Sequence, residues 1–192
     1  MTVKTKPQLK NKLIVLTLVG EKLSGKEVTA NYLVKKHGFK QYRFSKILDD
    51  ILKELSLPVS RVNEFNLVGA LRERFGGGVL AEAIKTKIIS SKKTKVVIDG
   101  LRHPAELESL KLLPGFKLVY ITAPLDIRYQ RALKRGEKAG ESKFSLADFK
   151  AEEKLSTEQY INKMGRRAHI KLVNEVGLNE LYKQIEAKII KA

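Results

Sequence analysis

The chain has 192 residues, of which 38 are basic and 21 acidic, for a net charge of +17; 43% are hydrophobic and 31% charged. That size accommodates one well-cored domain rather than two, and no apolar run approaches the roughly 20 residues that cross a bilayer. Cysteine is absent, which excludes disulfides, thiolate catalysis and cysteine-bound metals and makes a cytoplasmic location the expectation.

In chain order, residues 1–12 are basic and polar and read as a flexible arm, since a signal peptide needs a longer apolar core and a small-residue cleavage site. The β-branched run Leu13-Ile-Val-Leu-Thr-Leu-Val19 follows, and then Gly20-Glu-Lys-Leu-Ser-Gly-Lys26. A strand that ends in G-x-x-x-x-G-K and leads into a helix has the layout of a P-loop. Glycines let successive N–H groups turn inward, lysine reaches the β- and γ-phosphates, and the positive end of the next helix adds to the anion site. Gly20, Glu21, Lys22, Leu23, Ser24, Gly25, Lys26, Glu27 and Val28 are therefore the expected ATP-binding residues. The hydroxyl residue that normally follows the lysine, a ligand of Mg²⁺, is replaced by Glu27. Its carboxylate could bind the metal, repel the β-phosphate, or act as an acidic residue in the first helical turn.

A helix is predicted over about 26–36, closed by His37-Gly38, then a short strand over about 39–44. Ser45 is the expected N-cap of the next helix, whose apolar residues Ile47, Leu48, Ile51, Leu52 and Leu55 recur at helical spacing until Leu57-Pro58 breaks it. A helix over about 62–75 carries Arg72 and Arg74, Gly76-Gly-Gly78 stops it, and another begins near Val79. The buried strand Lys95-Val-Val-Ile98 ends in Asp99-Gly100. An aspartate there can organise Mg²⁺ or an acceptor, as a Walker-B carboxylate does, or can simply cap a turn. Arg102 emerges on the same rim, suited to phosphate or to pairing with Glu106.

The remaining prediction is a helix over about 104–112, a strand over about 116–122, a helix over about 125–135, a polar segment over about 136–154, a helix over about 156–164, a strand over about 169–173 and a helix over about 178–190. Alternating strands and helices imply a parallel sheet covered on both faces. Arg128, Arg131 and Arg135 share one helical face, either a cationic clamp for a transferring phosphoryl group or a solvated basic surface. His37, His103 and His169 have no metal-ligand spacing and read as surface or loop residues. Lysines such as Lys35-Lys36, Lys92-Lys93 and Lys4, Lys6 and Lys10 spread the excess charge. Such charge permits nucleic-acid contact; without a recognisable binding motif, small-molecule nucleotides are the favoured partners, with no membrane partner.

Several segments together resemble the nucleoside-monophosphate-kinase group of P-loop kinases, including its adenylate-kinase-like, dephospho-CoA-kinase-like and deoxynucleotide-monophosphate-kinase-like members. They are Gly20 to Lys26, Phe44-Ser45, Leu71-Arg72 with Gly76 to Gly78, Ile98-Asp99-Gly100-Leu-Arg102-His-Pro-Ala-Glu106, Arg128/Arg131/Arg135 and Val173-Asn174 before Leu178-Asn-Glu-Leu181. The resemblance implies a three-layer α/β/α P-loop NTPase fold with a five-stranded parallel sheet, an acceptor-binding helical insertion (about 44–80) and a lid (about 136–155) within one domain, 13–192. It also implies ATP and Mg²⁺ as cofactors, with Glu27 and Asp99 as the metal candidates. Ser45, Arg72 and Arg102 would contact the acceptor, Lys26, Asp99, Arg102, Arg128, Arg131 and Arg135 would serve catalysis, and Asn174 would lie by the adenine. The implied activity is ATP-dependent phosphoryl transfer to a nucleoside or deoxynucleoside monophosphate. The alternatives are dephospho-CoA kinase and a nucleotide-binding regulatory or RNA-associated protein weakened by Glu27.

Overall fold

The computed structural model describes residues 13–135, 145–153 and 160–192. Its centre is a five-stranded sheet in the order β2-β3-β1-β4-β5, formed by β1 (Ile14–Val19), β2 (Lys40–Arg43), β3 (Lys95–Asp99), β4 (Phe116–Thr122) and β5 (Ile170–Val173). Every adjacent pair is parallel. β1 therefore lies between β3 and β4, both of which come later in the chain. This reversal of strand order opens a crevice at the C-terminal edge of the sheet, where α/β folds gather ligands.

Helices cover both faces, and that is why the central strands are nearly continuous in β-branched and leucine residues. On one face α1 (Lys26–His37) and α9 (Leu178–Ile185) pack against Leu16, Leu18, Val97, Val119 and Ile121. On the other, α2 (Phe44–Glu54), α4 (Val79–Ser91), α5 (Pro104–Leu110) and α8 (Ile161–Gly165) cover Val15, Val19, Val96, Ile98 and Leu118. The expected α/β/α sandwich with five parallel strands is the observed one.

Local chemistry shifts several boundaries. β2 runs straight into α2 through the extended Arg43, so Ser45 falls inside the first helical turn, exposed, and its side chain caps nothing. The expectation of a Ser45 cap is thereby corrected: the true N-cap is Arg43, and α2 is held by Phe44, Ile47, Leu48 and Leu52 in the core. α3 (Arg61–Phe75) is capped by Ser60, which accepts from the Asn63 N–H, and buries no residue fully. α6 (Leu125–Arg135) ends as predicted. The segment read as polar over 136–154 contains α7 (Leu146–Glu153), whose Phe149 is fully buried. The arm 1–12, residues 136–144 and 154–155 of the expected lid, and residues 156–159 at the start of the helix expected over about 156–164 lie outside the described residues. α9 continues into a π-helical turn, Glu186–Ile190.

The histidines are structural partners rather than loop bystanders. His103 caps α5 in a capping box with Glu106, His169 accepts from the Leu118 N–H at 3.0 Å, and His37 lies 2.8 Å from Glu186.

Candidate active site

The turn after β1 is held in a shape that two of its glycines permit. At Gly20 a Cβ would sit 2.0 Å from the Ile121 carbonyl oxygen; Gly25 has φ +111 and a Cβ would meet Asn174 Nδ2 at 2.4 Å. Position 25 demands glycine twice over, by conformation and by space. The result is a tight loop opening onto the N-terminus of α1.

Lys26 Nζ bridges the loop, donating to the carbonyl oxygens of Gly20 and Glu21, each at 2.8 Å. Burial pushes its pKa down to about 8, with Arg102 acting in the same direction and Asp99 and Glu21 opposing. A buried ammonium with an incomplete counter-charge is a site prepared for an anion. Glu21 accepts from the Tyr120 and Thr122 hydroxyls, and burial with the former contact raises Tyr120 to about 12.

Two further ties brace the cradle. Asn174, 2% exposed, donates to the Ser24 carbonyl at 2.9 Å. Arg131 donates to the carbonyl oxygens of Leu23 (3.1 Å) and Asn174 (2.9 Å) and to Asn174 Oδ1 (3.1 Å). The residue after β5 and the middle of α6 thus strap the loop in place. The shared face of Arg128 and Arg131 points inward, which removes the solvated-surface reading for these two. Arg128 is 5% exposed, donates through Nε to the Ala123 carbonyl at 2.9 Å and lies 5.8 Å over the Phe149 ring. Arg131 lines the cavity described next, whereas Arg128 is not among its lining residues. Of Arg135 only the backbone, at the end of α6, is described.

A cavity of about 780 Å³ opens in front of the loop. Lys22, Leu23, Gly25, Lys26, Glu27, Val28, Arg131, Asn174 and Leu178 line it together with Leu48, Arg61, Glu64, Phe65, Val68, Asp99 and Arg102. Burial lowers the proton affinity of Arg102, with Asp99 opposing. Asp99 and Arg102 meet there as expected, while Arg72 takes another role. Its Nη2 donates to Glu106 Oε1 at 2.7 Å, and Glu106 is 1% exposed. The other oxygen of Glu106 accepts from the backbone N–H groups of Arg102 and His103. The pairing of Arg102 with Glu106 is thus made by its backbone, and Arg72 is a brace under the site. Ser45 is likewise absent from the cavity lining.

The residues that sequence reading missed are Arg61, Glu64, Phe65 and Val68. They stand at i, i+3, i+4 and i+7 on α3 and so share one face, a pattern present in the sequence but overshadowed by Arg72 and Arg74. Burial, followed by the neighbouring Asp49 carboxyl, raises Glu64 above the usual carboxylate range.

The donor set fits a polyphosphate: a glycine-shaped loop at a helix N-terminus with a buried lysine. For a metal, Asp99 and Glu27 offer oxygen ligands on the cavity wall, and the usual hydroxyl is missing, since Thr29 Oγ1 donates back to the Gly25 carbonyl at 3.0 Å. Glu27 is 53% exposed and lies 3.8 Å from Arg43. No group of three or more metal-ligating His, Cys, Asp or Glu residues occurs among the described residues. Asp99 and Glu27 are the number of carboxylates with which Mg²⁺ is commonly held, the rest of its shell being water and substrate phosphates.

The strand order and the loop after the central strand give the chain a P-loop NTPase fold, one it shares with solved P-loop kinases. Among solved structures, the fold resembles the Thermus thermophilus protein TT1252 (TM-score 0.64, 17% identity, 94% of this chain and 98% of that one). It also resembles shikimate kinase from Acinetobacter baumannii in complex with shikimate (TM-score 0.56, 15% identity, 93% and 94%). At these identities the likeness is one of fold.

The chain belongs to the AAA domain family AAA_18, whose model matches residues 16–160. It is similar to UPF0200 proteins of Sulfurisphaera tokodaii (29% identity over 124 residues, 65% of this chain and 67% of the relative) and Saccharolobus islandicus (35% over 124 residues, 63% and 64%). The match to the latter spans less than two thirds of that protein. A UPF0200 protein of Hyperthermus butylicus matches at 26% over 175 residues, 91% of each chain. No helix among the described residues is long and apolar enough to cross a membrane.

Proposed function

We propose that this protein transfers the γ-phosphoryl group of ATP to a small phosphorylated acceptor, a nucleoside or deoxynucleoside monophosphate. The observation that carries the reading is one cavity lined both by the Lys26 cradle and by Arg61, Asp99 and Arg102. It offers fixed cations to two anionic groups at once, and that positioning is most of what phosphoryl transfer requires.

The polyphosphate would enter the loop of residues 20–26. Lys26 would exchange its bonds to the Gly20 and Glu21 carbonyls for phosphate oxygens, and the new anion would restore the proton affinity that burial removes. Glu27 and Asp99 would hold the Mg²⁺ of the nucleotide through oxygen or water; the metal supplies charge neutralisation on the phosphates when bound. Arg61 and Arg102 would orient the acceptor phosphate. Its oxygen attacks γ-phosphorus as the bond to the β-phosphate oxygen breaks, and ADP leaves. A phosphate nucleophile carries its own negative charge, so no side chain has to remove a proton. Phe65, Val68 and Leu48 offer an apolar wall to the acceptor's ring, and Glu64 can accept from its N–H or O–H groups.

The test is ADP release from Mg·ATP in the presence of nucleoside monophosphates, their deoxy forms, dephospho-CoA and shikimate, against a blank with no acceptor. Stimulation by a monophosphate supports the reading. Stimulation by dephospho-CoA or shikimate alone replaces the acceptor, and ATP binding with no stimulated release favours a regulatory protein. In that last case Glu27→Ser is informative, since a large gain in turnover would identify Glu27 as the weakening residue.

A further inference from the structure

In an all-parallel sheet every helix returns the chain to the same edge, opposite the crevice. Four such connections are described, leading from α1 to β2, α4 to β3, α5 to β4 and α8 to β5. Their sequences are Lys35-Lys-His-Gly-Phe-Lys40, Ser91-Lys-Lys-Thr-Lys95, Lys111-Leu-Leu-Pro-Gly-Phe-Lys117 and Arg166-Arg-Ala-His-Ile-Lys171. Together they hold eleven lysines and arginines, all exposed, and no carboxylate.

Ordinary structural causes explain part of this. Cations near helix C-termini complement the macrodipole, and Lys35 and Lys36 stand in the last turn of α1. Lysine enrichment for thermal stability comes with glutamate and builds ion-pair networks. Here, among the described residues, only Lys36, Lys111 and Arg167 of the eleven reach a carboxylate, on Glu186 or Glu108. The other eight reach no carboxylate among the described residues, and like charge gathered at one edge destabilises the compact state unless a partner neutralises it.

We infer that this edge is a docking surface for the phosphate backbone of double-helical nucleic acid. With strands about 4.8 Å apart, the edge from β2 to β5 is about 19 Å wide, and that length of duplex presents roughly a dozen phosphates. Single strands are held by exposed aromatic platforms, whereas Phe39 is buried and Phe116 half-buried at this edge. An anionic bilayer would be met by an amphipathic helix lying flat with its apolar face down; this edge consists of strand starts and helix ends. Binding would therefore be independent of base sequence and steeply sensitive to salt.

The experiment is fluorescence anisotropy of the full chain with labelled duplexes of about 20 base pairs, DNA and RNA in separate arms, over a salt series. Variant one carries Lys40→Glu, Lys92→Glu, Lys93→Glu and Lys117→Glu. Variant two, matched in charge, carries Lys53→Glu, Lys134→Glu, Lys150→Glu and Lys183→Glu, on other elements. Thermal melts establish that both are folded. The expected result is binding of a duplex by the parent chain, a loss of about tenfold or more with a flatter salt slope for variant one, and a loss of under about threefold for variant two. Equal losses in both variants would reduce the effect to bulk charge and overturn the assignment. So would failure to bind either duplex near 50 mM salt, or binding confined to vesicles containing phosphatidylserine. None of these readouts depends on turnover.

Discussion

The two edges of the sheet handle charge in opposite ways. At the C-terminal edge charges of both signs occur side by side: Glu27 lies 3.8 Å from Arg43, Arg72 is paired with the buried Glu106, and Asp99 opposes the loss of protons from Lys26 and Arg102. At the N-terminal edge eleven cations share four connections that contain no acid. Charge in the crevice is built into a network with few surplus units, because a desolvated, unpaired cation is unstable. The bulk of the +17 therefore cannot be attributed to phosphate chemistry in the crevice. The two edges should also fail differently on mutation, one in chemistry and the other in salt response.

The sharpest break is Lys26→Met. Acceptor-stimulated ADP release should fall by about a hundredfold to a thousandfold, while duplex binding at the opposite edge stays unchanged; equal loss of both would merge the two edges into one site. Next, Arg102→Ala should raise the KM for the acceptor about thirtyfold, corresponding to the roughly 2 kcal/mol of a charge-assisted contact, with the KM for ATP much less affected. Steady-state titration of each substrate separates the two.

A third test uses pH. Nucleotide binding needs Lys26 protonated, and in the free protein its pKa is about 8. Affinity should be flat below that value and fall by up to about tenfold per unit above it, until the raised pKa of the complex is passed. Calorimetric titration of ATP across pH 7–10 reads this, and the same titration of Lys26→Met should lose the trend. The smallest effect belongs to the other edge: Lys117→Glu with Lys171→Glu, both on strands and not at helix ends, should raise the melting temperature by about 1–3 °C at low salt through relief of repulsion, a gain that screening removes at high salt.

The topology was legible in the sequence because β-branched runs and helical periodicities are local signals, and the P-loop was legible because its glycines stand at fixed spacing. Lys26, Asp99 and Arg102, each read from a local signal at a strand end, line one cavity. Arg72 was read toward the acceptor because nothing local reveals that Glu106, 34 residues away, holds it at 2.7 Å. Arg61, Glu64 and Phe65 went unread although they share a helix face, since the direction of α3 relative to the loop is set by tertiary packing. The burial of Phe149 in a segment otherwise rich in charge had the same origin: one apolar residue carries no period, yet it anchors α7 beside Arg128 and Tyr129.

The strap formed by Asn174 and Arg131 bears on how nucleotide capture divides between heat and disorder. A loop already fixed at Leu23 and Ser24 by four hydrogen bonds from outside itself or between its fasteners has little freedom left to surrender when phosphates arrive. Ordering was completed as the chain folded, so the entropic loss on binding falls chiefly on the ligand and not on the protein. Backbone order parameters at residues 21–26 should accordingly be high before nucleotide is added and change little afterwards. Cutting the strap with Arg131→Ala should lower them in the empty protein and shift binding toward a larger enthalpy offset by a larger entropy penalty.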